Sequence, residues 1–96
     1  MIDIGFHPDV YQDIAAALLW YENQSPGLGE FFLVDLEASY KRILAHRHAW
    51  PRFSNNTRYC LLERFPYAIV YAADEKIKVL AVKHNRRSAD YLEERL

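Results

Sequence analysis

The sequence predicts an α+β fold: an N-terminal strand, an antiparallel helical hairpin packed on a mostly antiparallel sheet of three to four further strands, and a short C-terminal helix. Three observations predict it. The chain opens on a run with a period of two residues, continues with two segments of helical period, and changes from Trp50 onward to short runs rich in aromatic and branched residues. Because 96 residues suffice for one modest core, we expect a single domain over residues 1–96.

The first strand and the first helix come before residue 25. The opening MIDIGF alternates apolar with other residues, as a strand with one buried face does; its apolar positions are Ile2, Ile4 and Phe6. Pro8 then suits the first position of a helix, because its missing N–H would have no partner there. Apolar residues recur at helical spacing after it and predict a core stripe at Val10, Ile14, Ala17, Leu18 and Tyr21.

A turn with the sequence SPGLG separates the first helix from a second one. Pro26 disfavours helical backbone at Ser25, and Gly27 and Gly29 permit a tight reversal. A second apolar stripe follows in EFFLVDLEASYKRILAH, at Phe32, Leu36, Ser39 or Tyr40, and Ile43. The two helices are therefore predicted to form an antiparallel hairpin.

Four runs in the second half predict the remaining strands: WPRF, RYCLLERF, YAIVYAA and KIKVLAVKH. Strict alternation along the last run predicts that both faces of the sheet are largely apolar. One face carries Ile77, Val79 and Ala81, and the other carries Lys78, Leu80 and Val82. Ser88 is then a suitable N-cap for a short helix through Tyr91 and Leu92.

Composition narrows the classes of partner and compartment. Twelve basic and 13 acidic residues give a formal net charge of −1, so net charge does not support nucleic-acid binding. Apolar residues make up 51%, at the upper edge for a soluble domain, which predicts that a partner covers some apolar surface. The single cysteine, the lack of a recognisable export signal and the lack of any run near the ~20 apolar residues of a membrane span predict a cytoplasmic protein without a membrane partner.

Three stretches are distributed along the chain from residue 8 to residue 96: PDVYQDIAAALLWYENQSPGLGEFFLVDL, RFPYAIVYAA and IKVLAVKHNRRSADYLEERL. Within them, a helix end at 20–22 precedes the turn at 26–29, a turn enters a strand at 65–67, and a strand end at 81–84 precedes Arg87 and Tyr91. This order of motifs resembles the RelE/ParE family of type II toxin–antitoxin toxins, and especially its ParE-like branch. The resemblance implies a RelE/ParE-like fold and a growth-inhibiting toxin, of the kind used in plasmid stabilisation, that a cognate antitoxin neutralises.

The resemblance implies one of two activities. Toxins similar to RelE cut messenger RNA on the ribosome with the RNA's own 2′-hydroxyl as nucleophile, so the protein stabilises phosphate charge and moves protons. Toxins similar to ParE bind DNA gyrase and trap it on broken DNA, which requires an interaction surface and no proton transfer. Neither activity requires a cofactor, and we expect none.

For RNA cleavage, the residues suited to phosphate binding and proton transfer are Arg58, His84, Arg87 and Tyr91. The nuclease branch carries an arginine directly after the tyrosine that matches Tyr67, and this chain has Ala68 there. The neighbouring strand of that branch is rich in lysine, whereas YCLLE has none and ends in Glu63. These departures favour inhibition of DNA gyrase through protein binding; ribosome-dependent cleavage of messenger RNA is the alternative.

The same side chains also have plainly structural interpretations. His84 at a strand end suits a hydrogen-bonded surface histidine, and the tail arginines suit exposed pairs with nearby acids. The tail arginines are Arg86, Arg87 and Arg95, and the acids are Asp90, Glu93 and Glu94. Cys60 is predicted to lie in the core. His46 and His48, two apart on a predicted helix, point to different sides and do not predict a metal site.

The surplus of apolar residues predicts an antitoxin-binding surface along the hairpin and the tail. The expected partner-binding residues are Leu19, Trp20, Tyr21, Arg86, Arg87 and Tyr91. A homodimer and a hetero-oligomer with the antitoxin both remain open.

Overall fold

The chain folds into two helices on one five-stranded sheet, and a computed structural model describes residues 4–54 and 56–95. The strands are β1 (Ile4–Phe6), β2 (Arg52–Ser54), β3 (Thr57–Leu61), β4 (Tyr67–Ala73) and β5 (Ile77–His84). The helices are α1 (Val10–Gln24), α2 (Leu28–Ala45) and a C-terminal 3-10 helix (Asp90–Arg95). The predicted α+β class is confirmed. Of the first predicted strand, Ile2 and Asp3 lie outside the described residues.

The strand order is β1-β5-β4-β3-β2, so the first and last strands of the chain are neighbours. β1 runs parallel to β5, with Ile4 opposite Ile77 and Phe6 opposite Val79, and the other three pairings are antiparallel. The mostly antiparallel sheet of the prediction is therefore confirmed. Within the described residues, neither α1 nor α2 is long and apolar enough to cross a membrane.

The turn between the helices is held by a side chain of α1. The Glu22 carboxylate accepts hydrogen bonds from the backbone N–H of Gly27 at 3.0 Å and of Gly29 at 2.9 Å. Both bonds lower the pKa of Glu22, and the bond from Gly27 has the larger effect. Gly27 has a φ of 89°, which favours glycine, and a Cβ on Gly29 would lie 2.6 Å from Leu18 Cδ1 and 3.2 Å from the Leu18 carbonyl oxygen, so a larger residue there requires the Leu18 side chain to move.

The main core lies between the hairpin and one face of the sheet, and both predicted helical stripes contribute to it, apart from Leu18. An aromatic cluster of Tyr21, Phe32, Phe65 and Tyr67 joins the two helices to β4, with ring centroids 4.7 to 6.0 Å apart. Edge-to-face and offset contacts at this separation stabilise aromatic pairs beyond the area they bury. The remaining buried apolar residues of this core are Val10, Ala17, Leu36, Ile43, Cys60, Leu62, Ile69, Tyr71, Ile77, Val79 and Val82.

A buried carboxylate on α2 holds the turn between β3 and β4. Asp35 accepts three backbone hydrogen bonds, from Glu63 N at 3.2 Å, Arg64 N at 2.8 Å and Phe65 N at 3.3 Å. Three N–H groups that have no strand partner are thereby satisfied inside the protein. The sequence analysis did not single out this aspartate, although it lies three residues after buried Phe32 and four before buried Ser39.

The predicted alternation along β5 is wrong beyond Val79, because the strand contains a bulge. Tyr71 pairs with Val79 and the adjacent Val70 pairs with Ala81, which leaves Leu80 as the extra residue. One extra residue reverses the faces of all that follow. Ala81 accordingly packs on the face away from the helices with Val70 and Leu92, and Val82 packs in the main core.

Replacing Asp35 with alanine is expected to lower the free energy of unfolding by about 2 kcal/mol, because it leaves three partly buried N–H groups without an acceptor. Glu37→Ala is the matched control on the same helix. Glu37 is exposed and forms an ion pair with exposed Lys41 at 3.9 Å, so a change below about 0.5 kcal/mol is expected. Urea unfolding of the two variants measures the difference, and equal losses would contradict a bracing role for Asp35.

Candidate functional site

A cleft of about 460 Å³ lies where α1, the end of β5 and the C-terminal segment meet. We call it the tail cleft. Its lining includes Gln12, Asp13, Trp20, Tyr67, Lys83, His84, Arg87 and Arg95. Three cationic side chains face one carboxylate in this set, so the tail cleft is locally basic although the whole chain has a net charge of −1.

An ion pair between Asp13 and Arg95 forms one wall of the tail cleft. Arg95 donates from Nη1 to Asp13 Oδ2 at 2.6 Å and from Nη2 to Asp13 Oδ1 at 3.0 Å. The two side chains are only 6% and 10% exposed. The hydrogen bond to Asp13 is the main cause that raises the pKa of Arg95. The expectation that Arg95 pairs with acids of the tail is therefore wrong, since its partner lies on α1.

The same pair completes the edge of β5. Phe6 of β1 lies opposite Val79, so within the described residues no strand adjoins β5 on that side from Leu80 onward. Val82 N donates to Asp13 Oδ2 at 3.1 Å, and Leu80 O accepts from Arg95 Nη1 at 3.1 Å. Side chains thus replace a missing strand and satisfy backbone groups that would otherwise be unpaired.

Tyr91 packs against the two arginines of the tail cleft. The guanidinium carbon of Arg87 lies 3.8 Å from the ring centroid of Tyr91, and that of Arg95 lies 5.0 Å away. The Tyr91 hydroxyl is buried and has no hydrogen-bond partner among the described residues. Burial is the main cause that raises the pKa of Tyr91. The ring therefore orients arginines, while its hydroxyl is withdrawn from solvent.

His84 lies at the end of β5 beside the arginine turn. Its ring is 5.3 Å from that of Tyr67, its Nδ1 accepts from Arg86 N at 3.1 Å, and its carbonyl accepts from Arg87 N at 3.0 Å. The structure therefore brings His84, Arg87 and Tyr91 together. Arg86 follows in the same turn and is exposed.

Arg58 does not join this group. It lies opposite Tyr71 on β4, whereas His84 lies opposite Tyr67, four residues or about 13 Å away along the strand. Its guanidinium donates to Trp50 O at 2.7 Å. The four predicted catalytic residues therefore do not form one set.

The predicted apolar anchors divide between surface and core. Leu19 and Trp20 are 63% and 58% exposed, and Phe31 and Val34 of α2 add exposed apolar surface to the hairpin. Tyr21 is only 8% exposed and belongs to the aromatic core, because its position on α1 faces α2 and β4. Partner contact by Leu19 and Trp20 remains a prediction, and Tyr21 acts mainly in packing.

A second groove, the outer groove, lies on the sheet face away from the helices. It has a volume of about 330 Å³ and is lined by Phe53, Tyr59, Leu61, Ala68, Val70, Lys83 and Asn85. Apart from Lys83 and Asn85, its lining consists of apolar and aromatic residues. Sequence analysis did not predict this groove, because the bulge at Leu80 decides which residues of β5 face it.

No metal centre emerges from the described residues, since no three of their His, Cys, Asp or Glu side chains are grouped to hold an ion. Cys60 is fully buried, as predicted, and burial is the main cause that raises the pKa of its thiol. A raised pKa disfavours the thiolate, so this cysteine is a core residue. His46 and His48 lie in the turn after α2 rather than on the helix.

Asp13 is a residue of the site that was not among the residues predicted from the sequence. The signal was available, because Asp13 follows Val10 by three positions and precedes Ala17 by four, on the buried stripe of α1. An acidic residue on a buried stripe requires a cation or several N–H donors. Its partner, Arg95, lies 82 positions further along the chain and could not be identified by spacing.

Comparison with solved structures shows what this fold is similar to. A chain from the chromosomal ParDE TA system of P. aeruginosa superposes with a TM-score of 0.75 at 19% sequence identity, covering 88% of this chain and 96% of that one. No family model and no curated protein matches the sequence. At this identity the likeness concerns the fold, and it confirms the predicted RelE/ParE-like architecture.

Replacing Asp13 with asparagine is expected to lower the free energy of unfolding by about 3 kcal/mol, because it removes the buried counter-charge of Arg95 and leaves the exposed Asp9 carboxylate at 3.8 Å. The 3-10 helix should lose hydrogen-exchange protection in the same variant. Asp9→Asn is the control, since Asp9 is largely exposed and lies 3.8 Å from Arg95 Nε. Urea unfolding and hydrogen exchange test both effects, and an Asp13→Asn variant as stable as the control would refute the structural role of the pair.

Proposed function

We propose that this chain is the toxin of a type II toxin–antitoxin system, that a cognate antitoxin neutralises it, and that it acts by binding DNA gyrase. The observation that carries the toxin assignment is the fold shared with a chain of the ParDE TA system. It agrees with the order of motifs along the sequence, which resembles the ParE-like branch independently of the coordinates.

The surface of the hairpin supports an antitoxin partner. Leu19 and Trp20 on α1 and Phe31 and Val34 on α2 leave large apolar side chains in solvent. Exposed apolar patches of this kind mark sites for partner proteins. Exposed Arg87 lines the tail cleft with Trp20, and exposed Arg86 precedes it in the same turn, so an antitoxin helix with an apolar face and an acidic edge matches this surface.

The outer groove supports gyrase binding over RNA cleavage. Ala68, which replaces the arginine expected in the nuclease branch, lies between Leu61 and Lys83 in the sheet. One lysine among apolar side chains binds RNA phosphates only weakly, because RNA affinity depends on the number of basic contacts. The distant Arg58 and the buried Tyr91 hydroxyl also leave RNA chemistry without two of its candidates.

Ribosome-dependent cleavage of messenger RNA is the second candidate function. The observation that favours it is the cluster of Lys83, His84 and Arg87 at the tail cleft. A histidine beside two cations is suited to moving a proton near a phosphate. The two functions predict different effects for the same substitution at His84.

Expression of the chain alone in a bacterium should arrest growth, and co-expression of the small protein encoded beside it should relieve the arrest. The arrest should begin with the DNA-damage response and precede any loss of translation. His84→Ala should leave the arrest in place, since gyrase binding needs no proton transfer. Growth curves, a DNA-damage reporter and mapping of messenger RNA ends measure these effects.

Normal growth at confirmed soluble expression would count against the toxin assignment. Cuts in messenger RNA that appear before DNA damage and disappear in His84→Ala would favour the nuclease instead.

A further inference from the structure

The strand register sets the shape of the outer groove. Lys83, Ala68 and Leu61 lie side by side across β5, β4 and β3. The next row consists of Ala81, Val70 and Tyr59, and the 3-10 helix packs on that row through Leu92. In the first row, Leu61 is 48% exposed, whereas Ala68 and Lys83 are 5% and 7% exposed. Small Ala68 is therefore the floor of a groove with an apolar wall on one side and a lysine on the other.

Lys83 is a buried cation without a counter-ion. Its residue is 7% exposed, and its ammonium donates to the carbonyl of His84 at 3.0 Å. Among the described residues, no carboxylate oxygen lies within the 4.0 Å that defines an ion pair with it. Burial, and then the charge of Arg87, lower its pKa. Buried Arg95, by contrast, has Asp13 as its partner.

An unpaired buried ammonium destabilises the isolated chain, because desolvation of a charge is unfavourable without a compensating anion. A carboxylate that entered the outer groove from another molecule would supply that anion. The apolar surface of Leu61, Ala68 and Phe53 beside it would cover apolar groups of the same molecule. The charge of Lys83 and the apolar lining together indicate a ligand in which a carboxylate is flanked by apolar groups.

We propose that the outer groove binds a segment of the target protein in which a carboxylate side chain is flanked by apolar side chains, with the carboxylate paired to Lys83. This inference rests on the proposed function, since the target is the gyrase of that proposal. The hairpin surface and the outer groove lie on opposite sides of the sheet. Lys83 also lines the tail cleft, but the apolar side chains of the two surfaces are different, so antitoxin and target have separate apolar contacts on this chain.

Separate contacts predict that toxicity and antitoxin binding can be uncoupled. Lys83→Met keeps the length of the side chain and removes its charge, so affinity for purified gyrase should fall ~30-fold or more. Growth arrest should weaken in parallel. The affinity for the co-expressed antitoxin should change by less than about 3-fold, which is small compared with the loss of a buried charge pair. The melting temperature should not fall, because the substitution removes an unpaired charge from the interior.

Lys78→Met is the matched control, because Lys78 lies on the same strand and is exposed. Leu61→Ser is a second variant that perturbs the apolar wall, with exposed Leu44→Ser on α2 as its control. Leu61→Ser should weaken gyrase binding ~10-fold, since one large apolar side chain contributes on this order. Both controls should retain gyrase affinity and toxicity.

Results that differ from these expectations separate a failure of the outer-groove proposal from a failure of the proposed function. Unchanged gyrase binding and toxicity in Lys83→Met would overturn the assignment of the outer groove. Loss of antitoxin binding with toxicity retained would assign the groove to the antitoxin and overturn the separation. Loss of messenger RNA cleavage in Lys83→Met would make the occupant an RNA, which also overturns it. If the unaltered chain neither arrests growth nor binds gyrase, the proposed function itself fails.

Discussion

The Asp13–Arg95 ion pair is the interaction on which the C-terminal half of the structure depends. β1 is three residues long and covers only the beginning of β5, so the remainder of that edge needs other hydrogen-bond partners. Asp13 supplies an acceptor for Val82 and Arg95 supplies a donor for Leu80. The same arginine fastens the 3-10 helix to α1. One pair therefore completes a sheet edge, positions the tail and forms a wall of the tail cleft.

The bulge at Leu80 decides the chemistry of the two sheet faces. Without it, His84 would point away from the helices and Lys83 toward them, since side chains alternate along a strand. With it, the His84 ring packs on Tyr67 at the helix side, and Lys83 lines the outer groove beside Ala68. A single extra residue thus puts the His84 ring on the helix side of the sheet and gives Lys83, which also lines the tail cleft, a place in the outer groove. The two surfaces can therefore meet different partners.

The charged groups of the chain differ in how completely they are paired. Asp35, Asp13 and Arg95 are buried and fully engaged, and each joins elements that are distant in sequence. Lys83 is equally buried and has only a carbonyl acceptor. Arg87 lies on an aromatic ring, which orients its guanidinium without neutralising it. Satisfied charges therefore hold the fold, and the unsatisfied ones lie at the two grooves where a partner would approach.

The sequence by itself determined the elements, because helices and strands leave local periods of 3.6 and 2 residues in the apolar pattern. The helical hairpin, the three to four strands expected after Trp50, the short tail helix and buried Cys60 all followed from such local signals. The gathering of His84, Arg87 and Tyr91 also followed, since they lie within eight positions of each other. Only the tertiary structure decided the partner of Arg95, the face of Lys83, the separation of Arg58 from His84 and the burial of Tyr21. Pairing between distant positions and the register of a bulged strand depend on contacts across the whole fold, and such contacts leave no periodic trace in the chain.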